Sequence, residues 1–288
     1  MAYKFDPKDE TTNLSETGFY SDMERKRRAI GDLGMKMMQV MASEGISEEP
    51  ELTRMAWDVI AYLTSDPIST TSIWRCFDTL RSTFLIKTEE INTGIRRFHI
   101  HRLTADGKLF AIHYFKKAPV ESEYERFIRE HASVHHGYLI KDTKKILEEK
   151  GIYDSVTTGR TENRIVISEK HACIPDIVGV YDDIQDCYEV ECGTHNQKDF
   201  DYKCTKLAHV TYDILFVAQN RQVLKKTVTK QVEHWIRKIG REKLKELGRK
   251  VYLTTLKDLQ NDKWTYIYDM TTDEPICCFG KKKGGEGL

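Results

Sequence analysis

Two short apolar segments separated by a turn constrain the fold of this chain more than any other feature. Residues 174–180 contain Asp176, and residues 188–191 begin twelve positions after that aspartate. Both segments are rich in β-branched or aromatic residues, and the turn-forming pair Asp182-Asp183 lies between them. This pattern predicts two β-strands joined as a hairpin.

The predicted hairpin gathers acidic side chains. It brings Asp176 close to Glu189 and Glu191, and the two glutamates share one face because strand residues two apart point the same way. Three carboxylates on otherwise apolar strands repel one another unless a cation lies between them. Hard divalent cations prefer such oxygen ligands. The sequence therefore predicts Mg²⁺ or Mn²⁺ bound by Asp176, Glu189 and Glu191, and with it phosphodiester chemistry.

Taken separately, the two halves of the pattern have ordinary explanations. Pro-Asp often marks a strand start or a turn, and Glu-x-Glu on an edge strand is commonly a solvated face. Together, Pro175-Asp176 and Glu189-x-Glu191 resemble the PD-(D/E)xK nuclease superfamily, in which an acidic residue stands two before a lysine. The resemblance implies a restriction-endonuclease-like mixed β-sheet flanked by helices, and a magnesium-dependent hydrolase.

The lysine of the superfamily pattern is replaced here by Glu191. Some superfamily members carry Glu at this position, and others move the lysine onto the following helix. Lys203 and Lys206 are three residues apart on a predicted helix, so they share a face. We favour Lys206 as the catalytic lysine. It would orient the attacking water or stabilise charge on the phosphate, with Glu191 as a further ligand or water-orienting base.

Composition bounds the class of protein. The chain has 288 residues, 40% of them hydrophobic and 31% charged, with a formal net charge of zero, which are globular values. No apolar run approaches a membrane span, and the N-terminus lacks a signal peptide's apolar core. The seven cysteines are an odd number without a CxxC pair, which indicates reduced thiols. We therefore expect a cytoplasmic protein without a membrane partner.

The N-terminal part predicts a winged helix-turn-helix domain. Helical patterns over residues 21–43 and 49–63 and from Ser69 or Thr70 precede an alternating run at 97–103, which turns at Asp106-Gly107 and returns over 108–114. Asp-Gly between alternating runs is a strong hairpin signature. The alternative is a packing or dimerisation module. The residues predicted to contact DNA are Thr71, Ser72, Arg75 and Arg81 on the recognition helix and Arg96, Arg97 and Lys108 on the wing.

Several histidines and cysteines suggest metal binding only weakly. His131 and His135 are four residues apart on a predicted connecting helix, but without a further ligand at a recognised spacing we favour packing roles. Cys187, Cys192 and His195 match no zinc pattern and are interpreted as buried or incidental.

A basic segment follows the predicted metal site. Residues 221–250 contain eleven Lys or Arg and three Glu, an asymmetry that balanced surface helices do not usually reach. We interpret the segment as a surface for the phosphate backbone of DNA, with Lys225, Lys226 and Lys230 as contacts. Residues 164–168 are predicted to be the strand that pairs with the hairpin upstream.

Taken together, these motifs resemble the replication-relaxation family of plasmids and integrative elements. The matching residues are Leu103-Thr104-x-x-Gly107, His131, Pro175-Asp176, Glu189-x-Glu191-x-Gly193-Thr194 and Lys206 with Tyr212. The resemblance implies DNA processing for the replication or transfer of a mobile element, with DNA and other proteins of that element as partners. The predicted parts are an arm (1–20), a winged-helix domain (21–118), connecting helices (119–150), a nuclease-like domain (151–275) and a tail (276–288).

These observations favour an α/β (α+β) metal-dependent DNA endonuclease of a plasmid or mobile element. One alternative keeps the fold but not the chemistry, as a DNA-binding replication or regulatory protein with a degenerate nuclease site. A second alternative is a type II-like restriction endonuclease. A double-strand cut would require two sites, and hence a homodimer or two binding events.

Overall fold

The computed structural model describes residues 16–63, 69–169 and 171–270. The chain divides into two compact units, Met1–Glu90 with Phe98–Glu125, and Ile91–Arg97 with Arg126–Leu288. The expected boundary at 118/119 lies seven residues before the observed one. Most of the predicted arm and all of the predicted tail (276–288) lie outside the described residues.

The described residues form a mixed α/β structure. Its helices are α1 (Glu16–Glu44), α2 (Glu49–Leu63), α3 (Thr70–Ser82), α4 (Ala105–Phe115), α5 (Glu123–His131), α6 (Val134–Lys150), α7 (Gln197–Val210), α8 (Arg221–Val223), α9 (Thr229–Ile239), α10 (Arg241–Glu246) and α11 (Leu256–Gln260). Its strands are β1 (Ile86–Asn92), β2 (Arg97–Leu103), β3 (Ser155–Thr157), β4 (Ile165–Ser168), β5 (His171–Cys173), β6 (Ile177–Tyr181), β7 (Ile184–Glu191), β8 (Asp213–Ala218), β9 (Lys250–Thr255) and β10 (Tyr266–Asp269). A π-helical turn, Leu224–Val228, joins α8 to α9. No helix in the described ranges is both long and apolar enough to cross a lipid bilayer.

The first unit is built on its N-terminal helices. The predicted helix over 21–43 is interrupted within α1, because the non-helical Gly31, with a φ of 62°, joins two helical segments at a kink. Met37 and Met38 of the second segment are buried in the core. Helix α3 begins after Ser69, whose side chain accepts a hydrogen bond from Ser72 N, and this N-cap satisfies one of the free amides of the first turn.

The predicted hairpin over residues 97–114 is wrong. Strand β2 pairs with β1, and the expected return strand is helix α4. Thr104 caps this helix by accepting a hydrogen bond from Gly107 N at 3.0 Å, so the Asp-Gly pair lies in a first helical turn. Gly107, Phe110 and Ala111 are buried on one side of α4, which is the helical period and not the alternation of a strand. Three helices followed by a β-hairpin are nevertheless present in this part of the chain, with the hairpin formed by β1 and β2.

The second unit contains a six-stranded mixed sheet in the order β10-β9-β8-β7-β6-β3. Strands β7, β8 and β9 are parallel to one another, and the other neighbours pair antiparallel. The predicted hairpin is confirmed as β6 and β7, and Asp182 and Asp183 both have positive φ in the turn. One face of the sheet packs against α7 and α9, and the other packs against α6 and α11.

Two expectations about the second unit are corrected. Residues 164–168 do not pair with the core hairpin, because β4 forms a separate two-stranded sheet with β5, and β3 is the antiparallel neighbour of β6. The predicted continuous helix through His131 and His135 is interrupted. Ala132 has a φ of 55°, and Ser133 caps α6 by accepting a hydrogen bond from His136 N. Helix α6 belongs to the core of this unit, since Leu139, Ile140 and Leu147 are buried against the sheet.

Candidate metal centre

The β6–β7 hairpin places Asp176 beside Glu189. The last backbone pair at this end joins Ile177 to Tyr188, so the aspartate precedes its strand opposite the glutamate that follows Tyr188. Asp176 Oδ2 accepts a hydrogen bond from Val190 N at 2.9 Å, which fixes the carboxylate against β7. Glu189 and Glu191 are each 1% exposed. Both share the face of β7 that carries Cys187, which packs against α7.

Helix α7 supplies the cation of this centre. Lys203 Nζ lies 2.8 Å from Glu189 Oε2 and 3.3 Å from Glu191 Oε1. The favoured candidate Lys206 lies elsewhere, with its ammonium 4.3 Å from the centre of the Tyr202 ring. Of the two lysines predicted on this helix, the structure therefore brings Lys203 to the carboxylates and Lys206 to an aromatic face.

The carboxyl groups at the centre differ in the direction of their pKa shifts. Burial raises the pKa of Glu189 well above its usual range, and the nearby charge of Asp176 raises it further against the opposing effect of Lys203. For Asp176, burial is outweighed by Lys203 and His136, which lower its pKa. Burial works against the charge of Lys203, but the surrounding carboxylates raise its pKa well above the usual value. The pKa values of Glu189 and Asp176 are thus shifted in opposite directions, because burial dominates at Glu189 whereas Lys203 and His136 dominate at Asp176.

Two histidines lie on the other side of Asp176. His136 Nε2 donates a hydrogen bond to Val190 O at 2.9 Å and is 3.3 Å from Asp176 Oδ2. Burial works against the charge of His136, but Asp176 raises its pKa. The ring of His131 packs edge-on to that of His136, with centroids 5.5 Å apart. Burial, together with the charge of His136, lowers the pKa of His131 to about 4.

A third histidine holds Glu191 in place. His195 Nδ1 donates a hydrogen bond to Glu191 Oε2 at 2.9 Å, and its backbone carbonyl accepts one from the Gln231 side chain at 2.8 Å. Burial alone would raise the pKa of Glu191, but Lys203 and His195 lower it. Glu191 thus lies between two hydrogen-bond donors, and both of them lower its pKa.

The donor set of this centre fits a divalent cation. Neither carboxylate oxygen of Glu189 receives a well-aligned hydrogen bond from the described residues, and the group is compensated only by the ion pair with Lys203 and its contact with the Asp176 carboxyl. Buried carboxylates with so few partners are costly. The oxygens of Asp176 and Glu189, together with the Val190 carbonyl, are ligands of the kind that Mg²⁺ and Mn²⁺ prefer. Glu191 is instead satisfied by Lys203 and His195. The residues present thus support a cation held by Asp176 and Glu189, with Glu191 supporting the lysine.

A cleft of about 300 Å³ opens onto this centre. Asp176, His131 and Lys203 lie on its wall, and Arg129 and Arg160 add positive charge to it. A cleft lined by the Asp176 carboxylate and by several cationic groups suits an anionic ligand that also binds a metal.

The residues predicted on the recognition helix lie together on the surface of the first unit. Thr71, Ser72, Arg75 and Arg81 are all exposed on α3, and Arg81 pairs with Asp78 one turn earlier. This face is available to a ligand, although its positive charge is partly balanced.

The residues predicted on the wing are dispersed. Arg96 binds the buried Asp142 of α6, with Nε–oxygen distances of 2.8 and 3.0 Å. Lys108 lies on α4 and pairs with Glu125, because the strand expected to carry it is a helix. Arg97 is the first residue of β2. Lys108 therefore does not lie on a wing, and the prediction that it contacts DNA from a wing strand is wrong.

The predicted basic surface lies along the π-helical turn and α9. Lys225, Lys226 and Lys230 are exposed, whereas Leu224 and Val228 are buried beneath them. The lysines therefore project from a helix anchored to the sheet.

Sequence reasoning missed His136 and assigned no role to His195. The four-residue spacing drew attention to His131 and His135, which would share a face only on an uninterrupted helix. Because a new helix begins after the N-cap Ser133, His131 and His135 do not share a helical face, and His136 is the histidine that lies next to Asp176. A serine directly before a helical pattern is a start signature, so the sequence did contain the relevant information. Neither the protein-family models nor the curated proteins compared with this chain match it.

Proposed function

We propose that this protein is a metal-dependent DNA endonuclease that hydrolyses phosphodiester bonds at the centre formed by Asp176, Glu189 and Lys203. The observation that carries the proposal is the buried pairing of Asp176 with Glu189, which is also ion-paired with Lys203. That lysine, 2.8 Å from the glutamate, completes the set of groups. Structural roles alone would not require two adjacent buried carboxyl groups.

Each residue has a distinct task in this proposal. Asp176 and Glu189 would hold Mg²⁺ or Mn²⁺, and the chemistry supplied by such a cation is activation of water and neutralisation of the leaving oxygen. Lys203 donates its protons toward the attacked phosphate or the attacking water, stabilising negative charge as it develops. Glu191 and His195 position this lysine through the contacts at 3.3 and 2.9 Å. Lys203 replaces Lys206 as the catalytic lysine.

The substrate class follows from the positive charge near the centre. Arg129 and Arg160 lie on the wall of the cleft, and the basic segment contributes exposed lysines from the same unit. Phosphodiesters of DNA present regularly spaced negative charges to such groups. Helices α1, α2 and α3, followed by the β1–β2 hairpin, fit a winged-helix module that would contact DNA through α3. The resemblance to the replication-relaxation family makes processing of a mobile element the proposed setting.

The test is cleavage of supercoiled plasmid DNA with Mg²⁺ or Mn²⁺. Asp176→Asn and Glu189→Gln preserve shape but remove charge, and both are expected to lower the cleavage rate by at least about a hundredfold. Asp183→Asn is the matched control, because it changes an exposed carboxylate in the turn of the same hairpin, where Asn tolerates the positive φ.

The results separate the nuclease from its alternatives. Metal-dependent nicking or linearisation that both variants lose, and the control keeps, supports the proposal. Salt-sensitive DNA binding without cleavage by any of the proteins would overturn it and favour a DNA-binding protein with a degenerate site. Cleavage confined to one short sequence would instead identify a restriction endonuclease.

A further inference from the structure

The histidine side of Asp176 has the composition of a second cation site. A ring nitrogen of His131, a ring nitrogen of His136 and a carboxylate oxygen of Asp176 lie within 4.8 Å of one another. Ligand atoms around one cation, each about 2.1 Å from it, lie about 3 to 4 Å apart. The three atoms therefore need to approach by no more than about 2 Å, which side-chain rotation readily supplies.

Separate elements hold these three side chains in place. His131 ends α5, and the left-handed Ala132 turns the chain so that His136 enters from the first turn of α6. Asp176 immediately precedes β6 and is fixed by Val190 N. The side chains of His131, His136 and Asp176 are 7%, 15% and 13% exposed, so they are enclosed yet still reach the cleft. The three candidate ligands are thus held in place by the end of one helix, the start of another helix and the start of a strand.

His131 is suited to act as a metal ligand. Its ring has no hydrogen-bond partner among the described residues, and its ion-pair contact with Glu130 is long, at 4.0 Å. The His131 imidazole lies against a second imidazole and a carboxylate, an arrangement that is typical of metal-ligating histidines and that packing alone does not require.

We infer that His131, His136 and Asp176 bind a divalent transition-metal cation such as Mn²⁺ or Co²⁺, at a site that adjoins Glu189 and selects against Mg²⁺. Imidazole nitrogen favours metals of this series, whereas Mg²⁺ prefers ligands that are all oxygen. Ligation through His136 Nε2 would replace its hydrogen bond to Val190 O and leave the proton on Nδ1. The inference deepens the proposed function and rests on it for its catalytic consequence.

Binding can be measured without any cleavage. Untagged protein is titrated with CoCl₂ while the visible absorption of the cobalt is recorded, and with MgCl₂ by calorimetry. His131→Gln and His136→Gln are each expected to weaken Co²⁺ binding by at least about tenfold, with a change in the Co²⁺ spectrum. Their Mg²⁺ affinity should change by less than about threefold. His135→Gln is the matched control, because it alters the neighbouring histidine on the same helix.

Thermal unfolding of each variant identifies loss of folding, and His131→Gln alone suffices if His136→Gln does not fold. Weaker Co²⁺ binding with an altered spectrum in the histidine variants, but not in His135→Gln, supports the inference. Unchanged Co²⁺ binding in a folded His131→Gln protein overturns it. Histidine-dependent Co²⁺ binding without DNA cleavage would support this cation site and refute the nuclease. DNA cleavage without histidine-dependent Co²⁺ binding would support the nuclease and refute this site.

Discussion

Lys203 Nζ lies 2.8 Å from Glu189 Oε2, and this ion pair joins helix α7 to strand β7 at the base of the cleft. The lysine also reaches Glu191 at 3.3 Å, so one ammonium compensates two carboxyl groups that are each 1% exposed. A divalent cation bound by Glu189 would compete with this ammonium for the same oxygens. The lysine is thus both a counter-ion of the centre and a candidate catalytic group.

Replacing Lys203 should therefore move cation binding and cleavage in opposite directions. In Lys203→Met, the ammonium no longer competes for the Glu189 oxygens and the net charge of the centre becomes more negative by one unit, so Mg²⁺ affinity should rise. The cleavage rate should fall by about a hundredfold or more because charge on the phosphate is no longer stabilised. Calorimetry and plasmid cleavage measure the two effects.

Lys206→Met provides the control on the same helix. Its ammonium lies over the Tyr202 ring, so both Mg²⁺ affinity and cleavage should stay within about threefold of the wild type. If Lys206→Met abolishes cleavage and Lys203→Met does not, the assignment of the catalytic lysine is wrong.

The ion pair between Arg96 and Asp142 should contribute to stability. Asp142 is buried and receives both the 2.8 Å and the 3.0 Å contact from Arg96 Nε. Arg96→Leu would leave the carboxylate without this counter-ion, which should lower the free energy of unfolding by about 3–5 kcal/mol. Urea unfolding measures this loss.

The double variant Arg96→Leu/Asp142→Leu tests whether Arg96 stabilises the fold or contacts DNA. It removes both charges, so most of the stability that Arg96→Leu removes should return. If its salt dependence of DNA binding equals that of the wild type, Arg96 is a structural residue. A clearly shallower dependence would instead favour the predicted phosphate contact.

The hairpin from β6 to β7 was predictable because its information is local. Apolar segments of strand length flank a turn with two aspartates, and the observed register follows from that spacing. The pairing of Asp176 with Glu189 then follows without knowledge of the rest of the sheet. Partners distant in sequence, such as the β3 strand that flanks β6, left no comparable pattern.

The error at Gly107 shows why local patterns also mislead. Asp-Gly between alternating residues suits a hairpin turn, but Thr104 before it is equally suited to cap a helix. Packing decides between the turn and the helix. Position 107 lies so close to the neighbouring backbone that a Cβ there would be 2.0 Å from Leu85 O. Only the packed structure contains this close approach. The sequence likewise could not show which of Lys203 and Lys206 reaches the carboxylates, since two residues on one helical face still differ in depth.

Stability of the first unit should fall as the pH drops below about 6.5. His101 Nε2 donates to Glu49 Oε2 at 3.0 Å, and its ring stacks on Phe77. Burial lowers the pKa of His101 despite Glu49, so the unfolded chain binds a proton first as the pH falls through 6.5. The hydrogen bond from His101 lowers the pKa of Glu49, so its contribution is present above about 4.5 and lost below that value.

His101→Gln should remove the loss of stability that begins below about pH 6.5. Urea unfolding between about pH 8 and pH 5 should show a shallower decline for this variant, and the decline due to one proton is at most about 1.4 kcal/mol per pH unit. His113→Gln on α4 is the control and should keep the wild-type slope. An unchanged slope in His101→Gln would show that this histidine does not link protonation to folding.

The lysines of the π-helical turn and α9 should contribute to DNA binding through charge alone. Lys225, Lys226 and Lys230 are exposed above a buried anchor, so glutamine substitutions should leave the fold intact. For every phosphate that the variant no longer neutralises, the slope of log affinity against log salt should become shallower by about 0.9. Fluorescence anisotropy with labelled duplex DNA at several salt concentrations gives that slope.

The control variant Lys144→Gln/Lys145→Gln alters lysines that are already paired with Glu148 and Glu149, and it should leave the slope unchanged. Equal slopes in the triple variant, the control and the wild type would exclude the basic segment from the DNA interface.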